Sequence, residues 1–129
     1  NKRFFRDLEE YMIQIEPSTK MFVNIFSWNP YASKENQVSR IFPNKYEKDN
    51  KIENKRIIPG KEKGYKLKAK YPDEVQGKKH IDQYLIVLAT KKKITFLKDY
   101  EFKNFQAIIY EIPNNKKRKE TIIYDVLKN

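Results

Sequence analysis

The chain holds one histidine, no cysteine and three glycines, so few of its residues could do covalent or acid–base chemistry. A catalytic His80 would need an acid to orient it; Asp82 stands two residues on, a spacing that makes only a weak pair. With no second histidine and no thiolate, His80 has no imidazole or sulfur partner to share a metal with. The acidic pairs Glu9-Glu10 and Asp73-Glu74 are sequence neighbours whose side chains diverge, unlike two carboxylates facing each other across a cleft. Ser18, Ser27, Ser33 and Ser39 carry no nucleophile-elbow motif. Gly60, Gly64 and Gly77 are too scattered for a phosphate or dinucleotide loop. The run KDNKIENK, 48–55, lacks the central glycine and closing glutamate of a calcium loop. The chain therefore reads as non-enzymatic, with no cofactor and no metal.

The charge is the next feature. Twenty-eight basic residues against 17 acidic give a formal net charge of +11. Lys66, Lys68 and Lys70 fall on one face of an alternating stretch. Lys91, Lys92 and Lys93, and Lys116, Lys117 and Arg118, fall in polar turns. Tyr65, Tyr71, Phe96 and Tyr100 interleave with them, and a basic groove with stacking rings is how single strands of nucleic acid are held. Against that, Tyr65 and Tyr71 share the apolar side of their stretch, opposite the lysines, which suits a core face and a solvated face. Arginine, the residue that forks onto phosphates and base edges, is sparse. Contact with nucleic acid or another polyanion through these nine basic residues is thus the second reading. The first is a solubilising lysine surface.

One stretch is dense in turn formers: SRIFPNKYEKDNKIENKRIIPG, 39–60. Asn44, Asp49 and Asn50 could build a small ligand site there. They could equally close turns by bonding nearby backbone. Pro43, lacking a ladder donor, stops a strand, and Ile52 and Ile58 would drop into the core.

The elements that must position these residues read as strands. EYMIQIE, 10–16, alternates, with Tyr11, Ile13 and Ile15 on one face. MFVNIFSW, 21–28, reads as a central strand interrupted only by Asn24, and forms a hairpin with VSRIF, 38–42. Arg56–Ile58 is a very short strand. GYKLKAKYP, 64–72, is the clearest amphipathic strand. IDQYLIVLAT, 81–90, is buried on both faces or carries Asp82 and Gln83 at its mouth; its Ile, Val and Thr favour a strand over a helix. FKNFQAIIYEI, 102–112, reads as a helix start followed by a strand over 107–112, PNNKKRK as a polar linker, and ETIIYDVLK, 120–128, as the last strand. Strands at this spacing predict an all-β fold, a single β-sandwich of about seven strands in an immunoglobulin-like arrangement. A chain of 129 residues suits one domain, 1–129. Aromatic residues at 14% argue against disorder. No apolar run reaches the roughly 18 residues of a membrane span, and no signal peptide is visible. The chain starts at Asn1 rather than Met, which reads as a fragment or a processed form.

Ile41-Phe42-Pro43-Asn44, then Asp49-Asn50, Ile52 and Ile58-Pro59, resemble the signature of the bacterial DUF4384 family: a hydrophobic strand, L-F-P-N, D-N-x-I and I-P. Tyr71-Pro72 and IVLAT, 86–90, occupy the places of a later proline and a hydrophobic strand, and MFVNIFSW that of an earlier one. The resemblance covers about 11–96, leaving 102–128 as additional C-terminal strands. Loop 29–37 departs from it in lacking the DxxG turn, as do Asn54-Lys55 at a small-residue position. The resemblance implies a non-catalytic accessory or protein-interaction domain of an exported or envelope-associated bacterial protein, in the periplasm, envelope or secreted. Its partner would be another protein or another domain of the same polypeptide. It carries no catalytic residues over to this chain.

Overall fold

The β-branched and aromatic runs do form strands. The computed structural model describes residues 3–128. In chain order the strands are β1 (Phe4–Arg6), β2 (Glu10–Tyr11), β3 (Ile13–Ile15), β4 (Met21–Trp28), β5 (Val38–Phe42), β6 (Lys51–Ile52), β7 (Arg56–Ile58), β8 (Leu67–Lys68), β9 (His80–Thr90), β10 (Asp99–Tyr100) and β11 (Lys117–Leu127). One helix, α1 (Phe102–Glu111), precedes β11, and short 3-10 turns span Lys34–Asn36 and Asn114–Lys116.

Seven strands make one sheet in the order β1-β11-β9-β4-β5-β10, with β6 pairing onto β4. β9 and β11 run antiparallel over their whole length, from Lys117 opposite Thr90 to Leu127 opposite His80. β4 lies on the other side of β9, from Phe22 opposite Thr90 to Trp28 opposite Tyr84. β1, from the start of the chain, pairs parallel with β11 near its end. Two two-stranded ribbons, β2 with β8 and β3 with β7, form a second layer.

Period-two alternation sorts the central strands onto two faces. Val23, Ile25, Leu85, Ile81 and Val126 point to the ribbons, where Ile13, Ile58, Leu67, Ala69 and Tyr71 complete one buried cluster. Phe26, Ile86, Leu88 and Val38 point the other way and meet Phe96, Tyr100, Phe105 and Ile109. Phe26 is the hub of this second cluster, with its ring 5.3 Å from Phe96 and 4.7 Å from Phe105. The all-β, sandwich-like class holds. Within the 64–72 stretch only Leu67–Lys68 is paired as strand, yet the alternation survives: Leu67, Ala69 and Tyr71 are buried while Lys66, Lys68 and Lys70 are exposed.

Two expectations need correction. The stretch 102–112 is helix up to Glu111, with no strand over 107–112, so the C-terminal addition is one helix and one strand. AIIYEI is rich in strand formers, but Phe105 and Ile109 stand at i and i+4 and bury together on one helix face. Both helix ends find partners: the N–H of Phe102 donates to Gln37 Oε1 at 3.2 Å, and Lys117 Nζ donates to the Ile109 carbonyl at 2.6 Å. These supply groups the helix itself leaves open. The linker 113–119 is also shorter than expected, since β11 begins at Lys117. Among the described residues no helix is long and apolar enough to cross a membrane.

Candidate functional site

The turn-rich stretch is organised by a residue that spacing did not single out. Glu47 is buried, and both of its carboxylate oxygens are bonded. Oε1 accepts from the Gly60 N–H at 3.1 Å and from the Tyr65 hydroxyl at 2.8 Å; Oε2 accepts from Arg56 Nη2 at 3.0 Å. Burial pushes the Glu47 carboxyl up, but the bonds from Tyr65, Gly60 and Arg56 outweigh it and hold the group below its ordinary value. Burial, with Glu47 opposing ionisation alongside it, raises the Tyr65 phenol to about 12. An ionised carboxylate saturated in this way is a clamp, not a proton donor. The donors lie 9, 13 and 18 residues along the chain from Glu47, so no local motif could have announced it.

Asn44, Asp49 and Asn50 lie around this clamp. Asn44 Oδ1 accepts from the N–H groups of Tyr46 and Glu47 at 2.9 and 3.0 Å, and its Nδ2 donates to the Ile41 carbonyl at 2.9 Å. Asn50 is buried and donates through Nδ2 to the Val23 carbonyl at 2.9 Å, while the Val23 N–H returns a bond to the Asn50 carbonyl, also 2.9 Å. The chain is thereby stitched onto β4. Asp49 is exposed and accepts from the Lys51 N–H at 3.1 Å. The peptide bonds before Pro43 and Pro59 are both cis.

The basic residues fall into two groups. Lys91 and Lys116 meet through a backbone bond of 3.2 Å, which brings Lys91, Lys92 and Lys93 beside Lys116, Lys117 and Arg118 at one end of the sheet. Of these, Lys117 is engaged with α1 and Arg118 Nε lies 3.8 Å from Glu120. Lys66, Lys68 and Lys70 lie elsewhere, with Gln83 of β9 across a shared groove. Gln83 and Lys91 are eight positions apart, roughly 26 Å at strand rise. The structure does not assemble one continuous basic surface from the nine residues.

His80 pairs with Asp125, not Asp82: Nδ1 lies 2.8 Å from Oδ2 across the β9–β11 ladder. The ring is largely exposed at the sheet end. Among the described residues no three histidines or carboxylates cluster closely enough to hold a metal.

The groove carrying Lys66, Lys68 and Lys70 has a volume of about 380 Å³. Ser27, Ser39 and Gln83 line it from the main sheet, and Asn29, Asn36 and Gln37 from the loop after β4. Tyr11 and Tyr124 line it as well. Burial and then the neighbouring Tyr124 raise the Tyr11 phenol, and burial raises that of Tyr124 to about 12. Both stay neutral near pH 7. Gln83 is 4% exposed, and its Nε2 has no hydrogen-bond partner among the described residues. A polar residue inside the apolar run 81–90 was the one sequence signal for this position.

Residues 7–93 match the family model described as a domain of unknown function, DUF4384. No curated protein and no solved structure matches the chain. The matched span holds the ribbons, the Glu47 clamp, β4, β5 and β9; α1 and β11 lie beyond it. With more than half of its length matched, the chain belongs to the DUF4384 family.

Proposed function

We propose that the chain is a non-catalytic accessory domain that binds a segment of a partner protein, or of another domain of its own polypeptide, in the groove between β8 and the β4–β5–β9 surface. The observation that carries this reading is the groove itself. Amides, hydroxyls and lysines line about 380 Å³ of open space, with neutral phenols among them. The buried Glu47 carboxylate is held by three donors in its clamp rather than free for acid–base work. A groove of mixed donors and acceptors on a rigid sheet suits recognition of a polar segment. Placement in an exported or envelope-associated bacterial protein, outside the cytoplasm, rests on the family resemblance.

Amide NMR mapping with acidic, neutral and basic hexapeptides tests the proposal. It expects saturable shifts at Ser27, Ser39 and Gln83 with at least one of them. Shifts with none of the three would contradict it.

A second reading, polyanion binding, draws support from the meeting of Lys91–Lys93 with Lys116. It predicts salt-sensitive retention on heparin that falls when those four lysines are replaced by alanine.

A further inference from the structure

The outer edge of β11 is only partly covered. β1 pairs with it at Asp125, Val126 and Leu127, and among the described residues no strand pairs with that edge from Lys117 to Ile123. Two bonds at the covered end fix which backbone groups point outward. The Asp125 N–H donates to the Arg3 carbonyl at 2.8 Å, and the Leu127 carbonyl accepts from the Asp7 N–H at 3.0 Å. Alternate residues of a strand turn their N–H and C=O to the same side, so Lys119 and Thr121 also point theirs away from β9. Both residues are exposed, and these groups have no backbone partner among the described residues. The two faces beside the edge differ. On the ribbon face, clefts of about 480 and 390 Å³ lie between the sheet and β3 and share Gln14. Ile13, Leu85 and Ile122 line the first; Ile15, Val87 and Ala89 line the second. On the α1 face the row is Lys117, Lys119 and Thr121, opposite Thr90, Leu88 and Ile86. Lys117 is engaged with α1, whereas Lys119 forms no ion pair among the described residues.

We propose that the open half of β11 takes up an extended segment of a partner protein as an added strand, one that alternates acidic side chains on the α1 face with apolar ones on the ribbon face. The outward groups of Lys119 and Thr121 supply the ladder, and the alternating side chains supply the selectivity. The apolar row enters the clefts beside Ile122, and the acidic row meets Lys119, at the end of the sheet where Lys91 and Lys116 join. A second copy of this chain is the poorer occupant: its own β11 begins Lys117-Arg118-Lys119, and lysines on an edge keep like edges apart. The surface is separate from the groove beside β8, which β11 borders only through Tyr124.

The test is an amide NMR titration of the 129-residue chain with three hexapeptides, alternating glutamate–valine, lysine–valine and glutamate–serine. The expected result is a saturable shift of the Lys119 and Thr121 amides with glutamate–valine and much weaker binding of the other two. Proline is tolerated on an edge strand where its missing N–H faces solvent. Thr121→Pro therefore removes one outward donor, leaves the β9 ladder intact and should weaken binding roughly tenfold, the worth of one hydrogen bond; Thr121→Ala should leave it nearly unchanged. If Thr121→Pro fails to fold, two further glutamate–valine peptides decide, one N-methylated on every glutamate and one on every valine. A strand offers only alternate N–H groups to one neighbour, so one of the two should lose binding and the other keep it. Equal binding of the two, a Thr121→Pro variant that binds as tightly as its parent, or glutamate–serine matching glutamate–valine overturns the added strand. Lysine–valine matching glutamate–valine overturns the acidic partner. Shifts confined to Ser27, Ser39 and Gln83 overturn the edge site and leave the groove reading standing. A dimer of the free chain in sedimentation that Thr121→Pro dissociates overturns the proposal in favour of a second copy. No shift at Lys119 or Thr121 with any peptide overturns it outright.

Discussion

The Tyr65 hydroxyl donates to Glu47 Oε1 at 2.8 Å, joining the start of the lysine stretch to the turn-rich crossover 18 residues earlier. Gly60 completes the same clamp by close approach, because a Cβ placed there would meet Glu47 Oε2 at 2.8 Å. That oxygen is the end of a side chain, but Arg56 holds it and the other oxygen has two donors, so it cannot swing away freely. Gly60→Ala should therefore destabilise by about 1–3 kcal/mol. Glu47→Ala should cost on the order of 3 kcal/mol by stranding Arg56 and Tyr65. In a double-mutant cycle read by urea unfolding, most of the Gly60→Ala cost should vanish in the Glu47→Ala background, since the clash partner is gone. Additive costs would mean the clamp does not act as a unit.

Acidification tests the charge on the clamp. The folded-state carboxyl of Glu47 is held below its ordinary value of 4.5. Its contribution is therefore fully present above that value and is lost as pH falls through the lower folded value. Urea midpoints measured from pH 7 down to pH 3 should drop below about pH 4.5, and Glu47→Gln should remove part of that slope. An unchanged slope in Glu47→Gln would place the acid sensitivity elsewhere.

Asn50 and Asp49 are neighbours with different expected costs. Asn50→Ala strips a buried bond to the Val23 carbonyl and should cost about 1–3 kcal/mol. Asp49→Ala loses one exposed turn bond and should stay within about 0.5 kcal/mol. Thermal or urea unfolding of the two variants separates them.

Asn24 carries the opposite expectation. It is 1% exposed, and its Nδ2 has no partner among the described residues. It sits opposite Leu88 in the β4–β9 ladder, in the same row as Thr90, Ile86 and Phe26. Asn24→Leu should be neutral or stabilise by about 1 kcal/mol, because an unsatisfied buried amide is replaced by an apolar group of similar size. A loss above roughly 2 kcal/mol would mean that the amide has a partner.

These sites show where local pattern reaches and where it stops. The lysine alternation over 66–70 and the hairpin of β4 with β5 were legible because period-two burial is written in adjacent residues. The helix over 102–111 was half legible: Phe102, Phe105 and Ile109 mark a helical stripe, but Ile108, Ile109 and Tyr110 also satisfy strand composition. The turn chemistry around Asn44 and Asn50 could be guessed from residue type, whereas the central role of Glu47 could not. A carboxylate becomes a hub only when Arg56, Gly60 and Tyr65 arrive from distant positions, and a single Glu in KYEKDN has no spacing to report. The parallel pairing of β1 with β11 joins the two chain ends and leaves no local signal either. The groove is of the same kind. Lys68 and Gln83 line it from elements that neither sequence period nor motif relates.

The most direct test of the binding account compares two variants in calorimetric titration with whichever of the acidic, neutral and basic hexapeptides shifts the groove residues. Ser27→Phe fills the groove from β4, a strand whose Ser27 is half-buried; Lys91→Ala/Lys92→Ala/Lys93→Ala strips charge from the far end of the sheet. With folding of both verified by circular dichroism, the account predicts that Ser27→Phe abolishes binding and that the triple lysine variant retains it within a few-fold. Binding that survives Ser27→Phe and disappears in the lysine variant would contradict the account and place the interaction on the lysine turns.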